Sequence, residues 1–292
     1  MKHFFCALTA LALMTGSLAL AECPRFSEAE YPIVDGSTAT LPLSRALYSA
    51  STGADETTAE LAVSHSKTTQ AFYQLLYGSA DLLLVYEPAP EALQAFEAEG
   101  VEYEMEPIGK DALVFLINSE NPVESLTQDQ LVGIYSGEIT NWSEVGGEDK
   151  EIIAYTRNES SGSQVMMEAL CMKDTPMAEG PQTYQISEME GLIREVASYR
   201  NTADAIGYSV YYYARNMYTE EGVKLAAVDG AEPSNQTIAD GSYPYTQDFY
   251  AVIRADAPEG SPQRQLFDWL VTDEGRQLIT DAGYVASLPE NS

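Results

Sequence analysis

Short apolar runs typical of β-strands alternate with amphipathic runs typical of α-helices along most of this 292-residue chain. A buried strand is predicted at residues 81–86 (DLLLVY), and a helix is predicted at Pro90–Glu99, ending before Gly100. Further strands are predicted at residues 101–107, 112–118, 205–210 and 247–254. Strands that alternate with helices of this length indicate an α/β fold built from βαβ units.

Two of the predicted strands, near residues 112–118 and 243–253, are long enough to cross between two parts of the chain. They predict a two-lobed protein whose lobes are joined by two crossing strands. We expect residues 22–115 and 249–292 to form the first lobe and residues 116–248 to form the second. Each lobe is expected to contain a mixed sheet flanked by helices.

The first 21 residues have the pattern of a secretory signal peptide. Lys2 precedes an apolar run at residues 4–14, and small residues lead to Ala19-Leu20-Ala21. We therefore predict that residues 1–21 are removed and that the protein is exported to the periplasm or to the outer face of the cell membrane. A retained anchor helix is the alternative. Glu22, directly before Cys23, is not the small residue expected in a lipoprotein signal.

The charge and the few histidines and cysteines exclude several classes of function. With 45 acidic against 15 basic residues and a net charge of −30, the chain lacks the basic surface that nucleic acids and anionic membranes require. Without the signal peptide, His65 is the single histidine, and Cys23 and Cys171 are the two cysteines, which could form one disulfide. We therefore expect no metal site, no cofactor and no enzyme that depends on histidine.

Three segments place Ser, Thr and Gly where a helix is expected to begin: residues 35–42 (DGSTATLP), 65–70 (HSKTTQ) and 157–164 (RNESSGSQ). A helix N-terminus exposes unpaired N–H groups and a partial positive charge, and therefore attracts anions. One such segment is usually only a helix cap. Three of them, one with an Arg157 guanidinium that can bind an oxyanion through two hydrogen bonds, indicate a small-anion site.

These segments also resemble a known family. RNESSGSQ is similar to the Arg-x-x-x-Ser-Gly-Thr/Ser motif of the phosphate-binding proteins that deliver phosphate to ABC importers. GSTATLP (residues 36–42) resembles the first phosphate loop of that family, and IYSGEITNWSEVGG (residues 134–147) resembles its Asn-Trp segment. Later matching segments follow in the family's order, at residues 204–214, 243–253 and 268–286. The resemblance implies a type II periplasmic-binding-protein fold over residues 31–286.

The resemblance also implies a set of ligand-binding residues. The second loop is expected to contribute a hydroxyl from Thr68 or Thr69. At residues 81–88 (DLLLVYEP) the chain departs from the family, because Tyr86 stands where the family has an Asp that accepts the proton of hydrogen phosphate. Glu87 is a candidate substitute, although a shift of one residue along a strand turns the side chain to the other face. The expected site residues are Thr38, Ala39, Thr40, Leu41, Thr68, Glu87, Arg157, Ser161, Gly162 and Ser163.

The sequence therefore predicts an extracytoplasmic solute-binding protein, not an enzyme. It is expected to capture a small oxyanion, with inorganic phosphate as the first candidate, and to deliver it to an ABC transporter permease as a monomer. The missing Asp leaves open an extracytoplasmic sensor or adhesion module with the same fold and another small ligand. A phosphoester hydrolase is a further alternative, against which the single histidine argues.

Overall fold

The computed structural model describes residues 22–179, 183–197 and 204–287. The predicted signal peptide lies outside these residues. The helices are α1 (Leu41–Thr52), α2 (Glu56–Ala62), α3 (Thr68–Leu76), α4 (Pro90–Glu99), α5 (Gln128–Ser136), α6 (Gly162–Met166), α7 (Met189–Ala197), α8 (Asn235–Ala239), α9 (Pro262–Leu270) and α10 (Asp273–Asp281). The strands are β1 (Val34–Gly36), β2 (Leu82–Val85), β3 (Tyr103–Asn118), β4 (Ser125–Leu126), β5 (Ile153–Arg157), β6 (Thr183–Ile186), β7 (Ala205–Val210), β8 (Val223–Val228), β9 (Thr246–Arg254) and β10 (Val285–Ala286).

The described strands form one connected mixed sheet in the order β1-β2-β9-β3-β7-β5-β6, with β10 and β8 also paired to β3 and β4 paired to β8. Strands β1, β2, β9 and β10, with the Tyr103–Ala112 part of β3, belong to what we call the first lobe. Strands β4 to β8 and the rest of β3 belong to the second lobe. The fold is thus the predicted α/β arrangement with two lobes.

Strand β3 is longer than predicted, because the two strands expected at residues 101–107 and 112–118 are one continuous strand. The strand continues through Pro107 and Gly109, between which its register with β9 shifts. Such a bulge accommodates a proline without ending the pairing. The partner of β3 changes from β9 to β7 after Ala112. The lobe boundaries at 115/116 and 248/249 stay a prediction.

Local signals placed several helices correctly. Thr127 caps α5 through a reciprocal capping box with Gln130, and Gly137 ends the helix in the left-handed conformation. Ser261 stands at the N-cap position of α9, but its side chain makes no capping hydrogen bond. Helix α2 was not predicted, although Asp55 accepts a hydrogen bond from the Thr58 N–H and caps it.

The core of each lobe is formed by the strands and the apolar faces of the helices. Four tyrosines of β7 and the segment after it are buried in this core: Tyr208, Tyr211, Tyr212 and Tyr213. Cys23 and Cys171 are both free thiols, so they do not form the disulfide that the sequence allowed. Within the described residues, no helix combines the length and apolarity needed to span a membrane.

Candidate functional site

The first loop is a tight 3-10 turn at Thr38–Thr40, between β1 and α1. Gly36 is required before it, because a Cβ there would lie 1.9 Å from the Leu84 carbonyl oxygen of the neighbouring strand. The Ser37 N–H donates to that same oxygen at 3.2 Å. The turn therefore begins directly against β2.

The second loop leads into α3 and is held against the first by a buried carboxylate. Asp35 accepts hydrogen bonds from the N–H and the hydroxyl of Ser66, at 2.7 and 2.5 Å. His65 bridges the Ser37 carbonyl and the Ser44 hydroxyl through its two ring nitrogens, at 2.6 and 3.0 Å. Burial lowers the pKa of His65, which favours the neutral imidazole. His65 therefore supports the first loop from behind.

Lys67, which follows this contact, has φ 80° and ψ 164°. This backbone conformation is normally reserved for glycine, because a side chain there is strained. The strained residue starts α3 directly and buries the Thr68 side chain, whose Oγ1 lies 2.8 Å from the Ser37 Oγ. The two loops of the first lobe are thus joined by a pair of hydroxyls.

The third loop runs from the end of β5 to the start of α6 and carries Arg157. Its guanidinium is buried and donates from Nε to the Ile186 carbonyl and from Nη2 to the Ser187 carbonyl, each at 3.0 Å. The third nitrogen, Nη1, is buried and has no hydrogen-bond partner among the described residues. Burial lowers the pKa of Arg157, but an arginine side chain stays charged in proteins.

Helix α6 begins after Ser161, whose hydroxyl accepts a hydrogen bond from the Gln164 N–H at 3.2 Å. Gly162 follows and approaches the first lobe closely. A Cβ at Gly162 would lie 2.6 Å from the Thr68 Oγ1. On the same side of the cleft, the Lys67 ammonium is 2.8 Å from a Glu188 carboxylate oxygen. These contacts join the two lobes, so the described conformation is a closed one.

The three loops surround a small cavity of about 20 Å³. Seven of the predicted site residues line it: Thr38, Ala39, Thr68, Arg157, Ser161, Gly162 and Ser163. Five residues that were not predicted as ligand contacts also line it: Ser37, Lys67, Tyr86, Met189 and Val210. The cavity is therefore rich in hydroxyls and contains one buried guanidinium.

Three predicted site residues do not line this cavity. The Thr40 N–H and hydroxyl both donate to the Ser37 carbonyl, and the hydroxyl also donates to the Leu84 carbonyl. The Leu41 N–H donates to the Thr38 carbonyl. The hydrogen-bond donors of Thr40 and Leu41 are thus already bonded within the protein and are not free to bind an anion. Glu87 is exposed and accepts a hydrogen bond from the Gln247 amide, because its position on the chain directs it away from Tyr86.

Tyr86 links the cavity to a buried carboxylate. Its N–H donates to the Ser37 Oγ at 3.1 Å, and its hydroxyl donates to an Asp111 carboxylate oxygen at 2.6 Å. Asp111 also accepts hydrogen bonds from the N–H groups of Ala112 and Tyr212. Burial raises the pKa of Asp111 to about 6, with these hydrogen bonds opposing the increase.

The five cavity residues that were not predicted differ in how strong a signal the sequence carries for them. Ser37 and Lys67 lie within the Ser/Thr-rich segments, so a closer reading of those segments could have included them. Tyr86 was recognised only as the residue in place of the family's Asp. Met189 and Val210 carry no polar signal, and only the fold brings them to the cavity. Within the described residues, no group of three or more His, Cys, Asp or Glu side chains is arranged to bind a metal ion.

Comparisons with known proteins agree with this architecture. The sequence model of the PBP superfamily domain matches residues 27–274. The phosphate-binding protein PstS of Staphylococcus haemolyticus is 26% identical over 244 residues, covering 82% of this chain and 75% of the relative. The PstS protein of Staphylococcus epidermidis is 28% identical over 243 residues, covering 80% and 72%.

A solved structure shows the same fold. A Clostridium perfringens protein solved with bound phosphate superposes with a TM-score of 0.68 at 21% sequence identity, covering 88% of this chain and 100% of that one. The family match extends over most of the chain and includes all three loops of the cavity. This protein belongs to the PBP superfamily.

Proposed function

We propose that this protein is an extracytoplasmic solute-binding protein that captures inorganic phosphate between its lobes and presents it to the permease of an ABC importer. Two similar proteins are named phosphate-binding protein PstS, and one similar structure contains phosphate. The cleft of this chain also has hydrogen-bond donors and a buried positive charge, which support such a ligand.

The observation that carries the proposal is the unpaired nitrogen of Arg157. A buried donor without a partner costs roughly 1–3 kcal/mol, and more when it is charged. Nη1 of Arg157 is buried, has no partner among the described residues, and belongs to a residue that lines the cavity. A phosphate oxygen is a strong acceptor that would satisfy this nitrogen and neutralise the guanidinium.

The rest of the cavity supplies donors around that charge. Hydroxyls come from Ser37, Thr38 and Thr68 in the first lobe and from Ser161 and Ser163 in the second. The Ser37 and Thr68 hydroxyls are bonded to each other, as are those of Ser161 and Ser163, so each pair keeps one proton that can be donated to a phosphate oxygen. Since the donors come from both lobes, the ligand is fully surrounded only when the lobes close. Ligand binding therefore shifts the protein toward the closed conformation, which is the form offered to the permease.

The net charge of −30 is compatible with this ligand. The acidic surface works against long-range attraction of phosphate, but its field is screened within about 8 Å at physiological salt. Binding then depends on short-range hydrogen bonds to hydroxyls and to Arg157. In this proposal the protein is a monomer that binds and releases its ligand without chemical change, exported by the signal peptide at residues 1–21.

The test is titration calorimetry of residues 22–292 with inorganic phosphate, together with the Arg157→Lys variant. Lysine keeps the charge but cannot place a donor at Nη1 while holding the Ile186 and Ser187 carbonyls. We expect one site per chain in the unsubstituted protein and a 10- to 100-fold weaker Kd in Arg157→Lys, about 1.5–3 kcal/mol. Arg254→Lys is the matched control, because Arg254 also donates to a backbone carbonyl, that of Leu76, but lies outside the cavity.

Each result decides the proposal. If the unsubstituted protein binds no phosphate in calorimetry, the proposed ligand is wrong. If Arg157→Lys and Arg254→Lys bind with the same affinity as the unsubstituted protein, the proposed site is wrong. A melting temperature measured for each variant separates loss of binding from loss of folding.

A further inference from the structure

The cavity offers many donors but no carboxylate. None of the residues that line it is Asp or Glu. Near neutral pH, inorganic phosphate is a mixture of dihydrogen phosphate and hydrogen phosphate ions, so every ion carries at least one P–OH group, whereas sulfate carries no proton. A phosphate site must therefore accept one hydrogen bond from the ligand, because a P–OH buried without an acceptor loses its hydrogen bond to water.

The backbone carbonyls of the first loop are already engaged as acceptors. The Ser37 carbonyl accepts from Thr40 and contacts His65, and the Thr38 carbonyl accepts from the Leu41 N–H. The Ala39 carbonyl accepts from the Tyr284 hydroxyl at 2.6 Å. The Ser and Thr hydroxyls of the cavity can rotate to donate or to accept, so they do not distinguish a protonated ligand from an unprotonated one.

Tyr86 differs from these hydroxyls because its proton has a fixed partner. The Tyr86 backbone N–H donates to the Ser37 hydroxyl oxygen, and its side-chain hydroxyl donates to Asp111. Asp111 also accepts a hydrogen bond from the Tyr212 N–H. Ser37 and Val210, which is two residues before Tyr212, both line the cavity, as does Tyr86 itself. Tyr86 therefore connects the cavity to Asp111, which lies on the strand that joins the two lobes.

Asp111 determines what the Tyr86 hydroxyl can do. It is fully buried, and it accepts hydrogen bonds from Ala112 and Tyr212 as well as from Tyr86. An ionised carboxylate can only accept, so the Tyr86 proton points to Asp111. The phenol oxygen then has only acceptor capacity left for a ligand. Asp111 holds this orientation at any pH at which it is ionised.

We propose that Tyr86, oriented by Asp111, makes this site selective for a protonated oxyanion, because the Tyr86 hydroxyl oxygen accepts the hydrogen bond of the ligand's P–OH group. This inference rests on the proposed function and names its specificity-determining residue. Tyr86 contacts the ligand, and Asp111 is a positioning residue that acts through it. Glu87 takes no part, since its carboxylate is exposed and bonded to Gln247.

The experiment compares inorganic phosphate with sulfate, at one pH near 7.5, in residues 22–292 and two variants. Tyr86→Phe keeps the ring and removes the acceptor. We expect its affinity for phosphate to fall about tenfold and its affinity for sulfate to change less than about twofold. Tyr212→Phe is the matched control, because it removes a hydroxyl that donates to the Ala282 carbonyl in the same core but does not line the cavity.

Asp111→Asn tests the positioning role of Asp111. The measured quantity is the ratio of phosphate affinity to sulfate affinity, which a general loss of stability does not change. An asparagine amide can donate to the Tyr86 oxygen and turn the hydroxyl toward the ligand as a donor. We expect the ratio of phosphate affinity to sulfate affinity to fall at least about fivefold, because a donor at this point suits sulfate better than hydrogen phosphate. A destabilised site without the proposed role would weaken both anions together and leave the ratio unchanged.

The outcomes separate this inference from the proposed function. If the unsubstituted protein binds phosphate and Tyr86→Phe keeps the same ratio of affinities, the inference is wrong and the phosphate site stands. If the unsubstituted protein prefers sulfate, the inference is also wrong, while the oxyanion site stands. If it binds neither anion, the proposed function and the inference fail together.

Discussion

The contact between Gly162 and Thr68 gives the sharpest prediction about closure. Gly162 opens α6 in the second lobe, and Thr68 opens α3 in the first. A Cβ at Gly162 would lie 2.6 Å from the Thr68 Oγ1, about 0.8 Å short of the 3.4 Å at which ordinary contact begins. Gly162→Ala therefore forces the lobes apart by several tenths of an ångström at the point where the ligand is enclosed.

The size of this effect follows from where the clash occurs. Overpacking a closed interior costs roughly 1–3 kcal/mol, and here the cost falls on the closed conformation, because the open lobes relieve it. Alanine is also a better helix former than glycine, so α6 itself is not weakened. We therefore expect Gly162→Ala to weaken phosphate binding about 5- to 150-fold while the melting temperature of the unliganded protein changes little.

Calorimetry with inorganic phosphate and a thermal melt without ligand measure the two quantities. Gly191→Ala is the matched control, because Gly191 is also helical and in the second lobe, and its Cβ would meet the Ile186 Cγ2 only at 3.3 Å. A Gly162→Ala protein that binds phosphate as tightly as the Gly191→Ala protein would refute the reasoning, since it would mean that the closed site tolerates the methyl group.

Two further predictions concern the backbone and the buried carboxylate. The φ of 80° at Lys67 favours glycine, so the Lys67→Gly protein should be about 1 kcal/mol more stable than the Lys67→Ala protein in urea denaturation. Both variants lose the ion pair to Glu188, and only glycine relieves the backbone strain. Equal stabilities of the two variants would show that Lys67 is unstrained. The Asp111 pKa of about 6 in the folded state lies above its ordinary value of 3.8, so its contribution to stability is complete below pH 4 and is lost as pH rises through 6. We expect the free energy of unfolding to fall by about 3 kcal/mol over this pH range. Asp111→Asn should remove this part of the pH dependence. If the Asp111→Asn protein keeps the same pH dependence, other groups cause it.

Much of the fold could be predicted because the informative signals are local. The capping box at Thr127, the terminal Gly100 and the apolar residues 81–86 each report on a few neighbouring positions. The continuity of β3 could not be predicted, since it depends on β9, more than a hundred residues later, accepting a bulge at Pro107. Helix α2 was missed because its seven residues bury only Ala59 and so lack a clear apolar periodicity.

The site was predictable to a similar extent. Ser, Thr and Gly at helix starts, with Arg157, identified the three loops that the fold brings together. The sequence did not show which donors of the first loop are free, because that depends on the 3-10 turn that uses Thr40 and Leu41. The partner of Tyr86 was also hidden, because Asp111 lies 25 residues away and on another strand.

The continuity of β3 has a mechanical consequence. Its backbone is hydrogen-bonded to first-lobe strands up to Ala112 and to second-lobe strands from Leu113, with no unpaired linker between them. Any opening of the lobes must therefore bend or twist a paired ribbon and not an unstructured linker. Asp111 lies beside this point and accepts the Tyr86 hydroxyl, so a single hydrogen bond connects the strand that joins the lobes to a residue that lines the cavity.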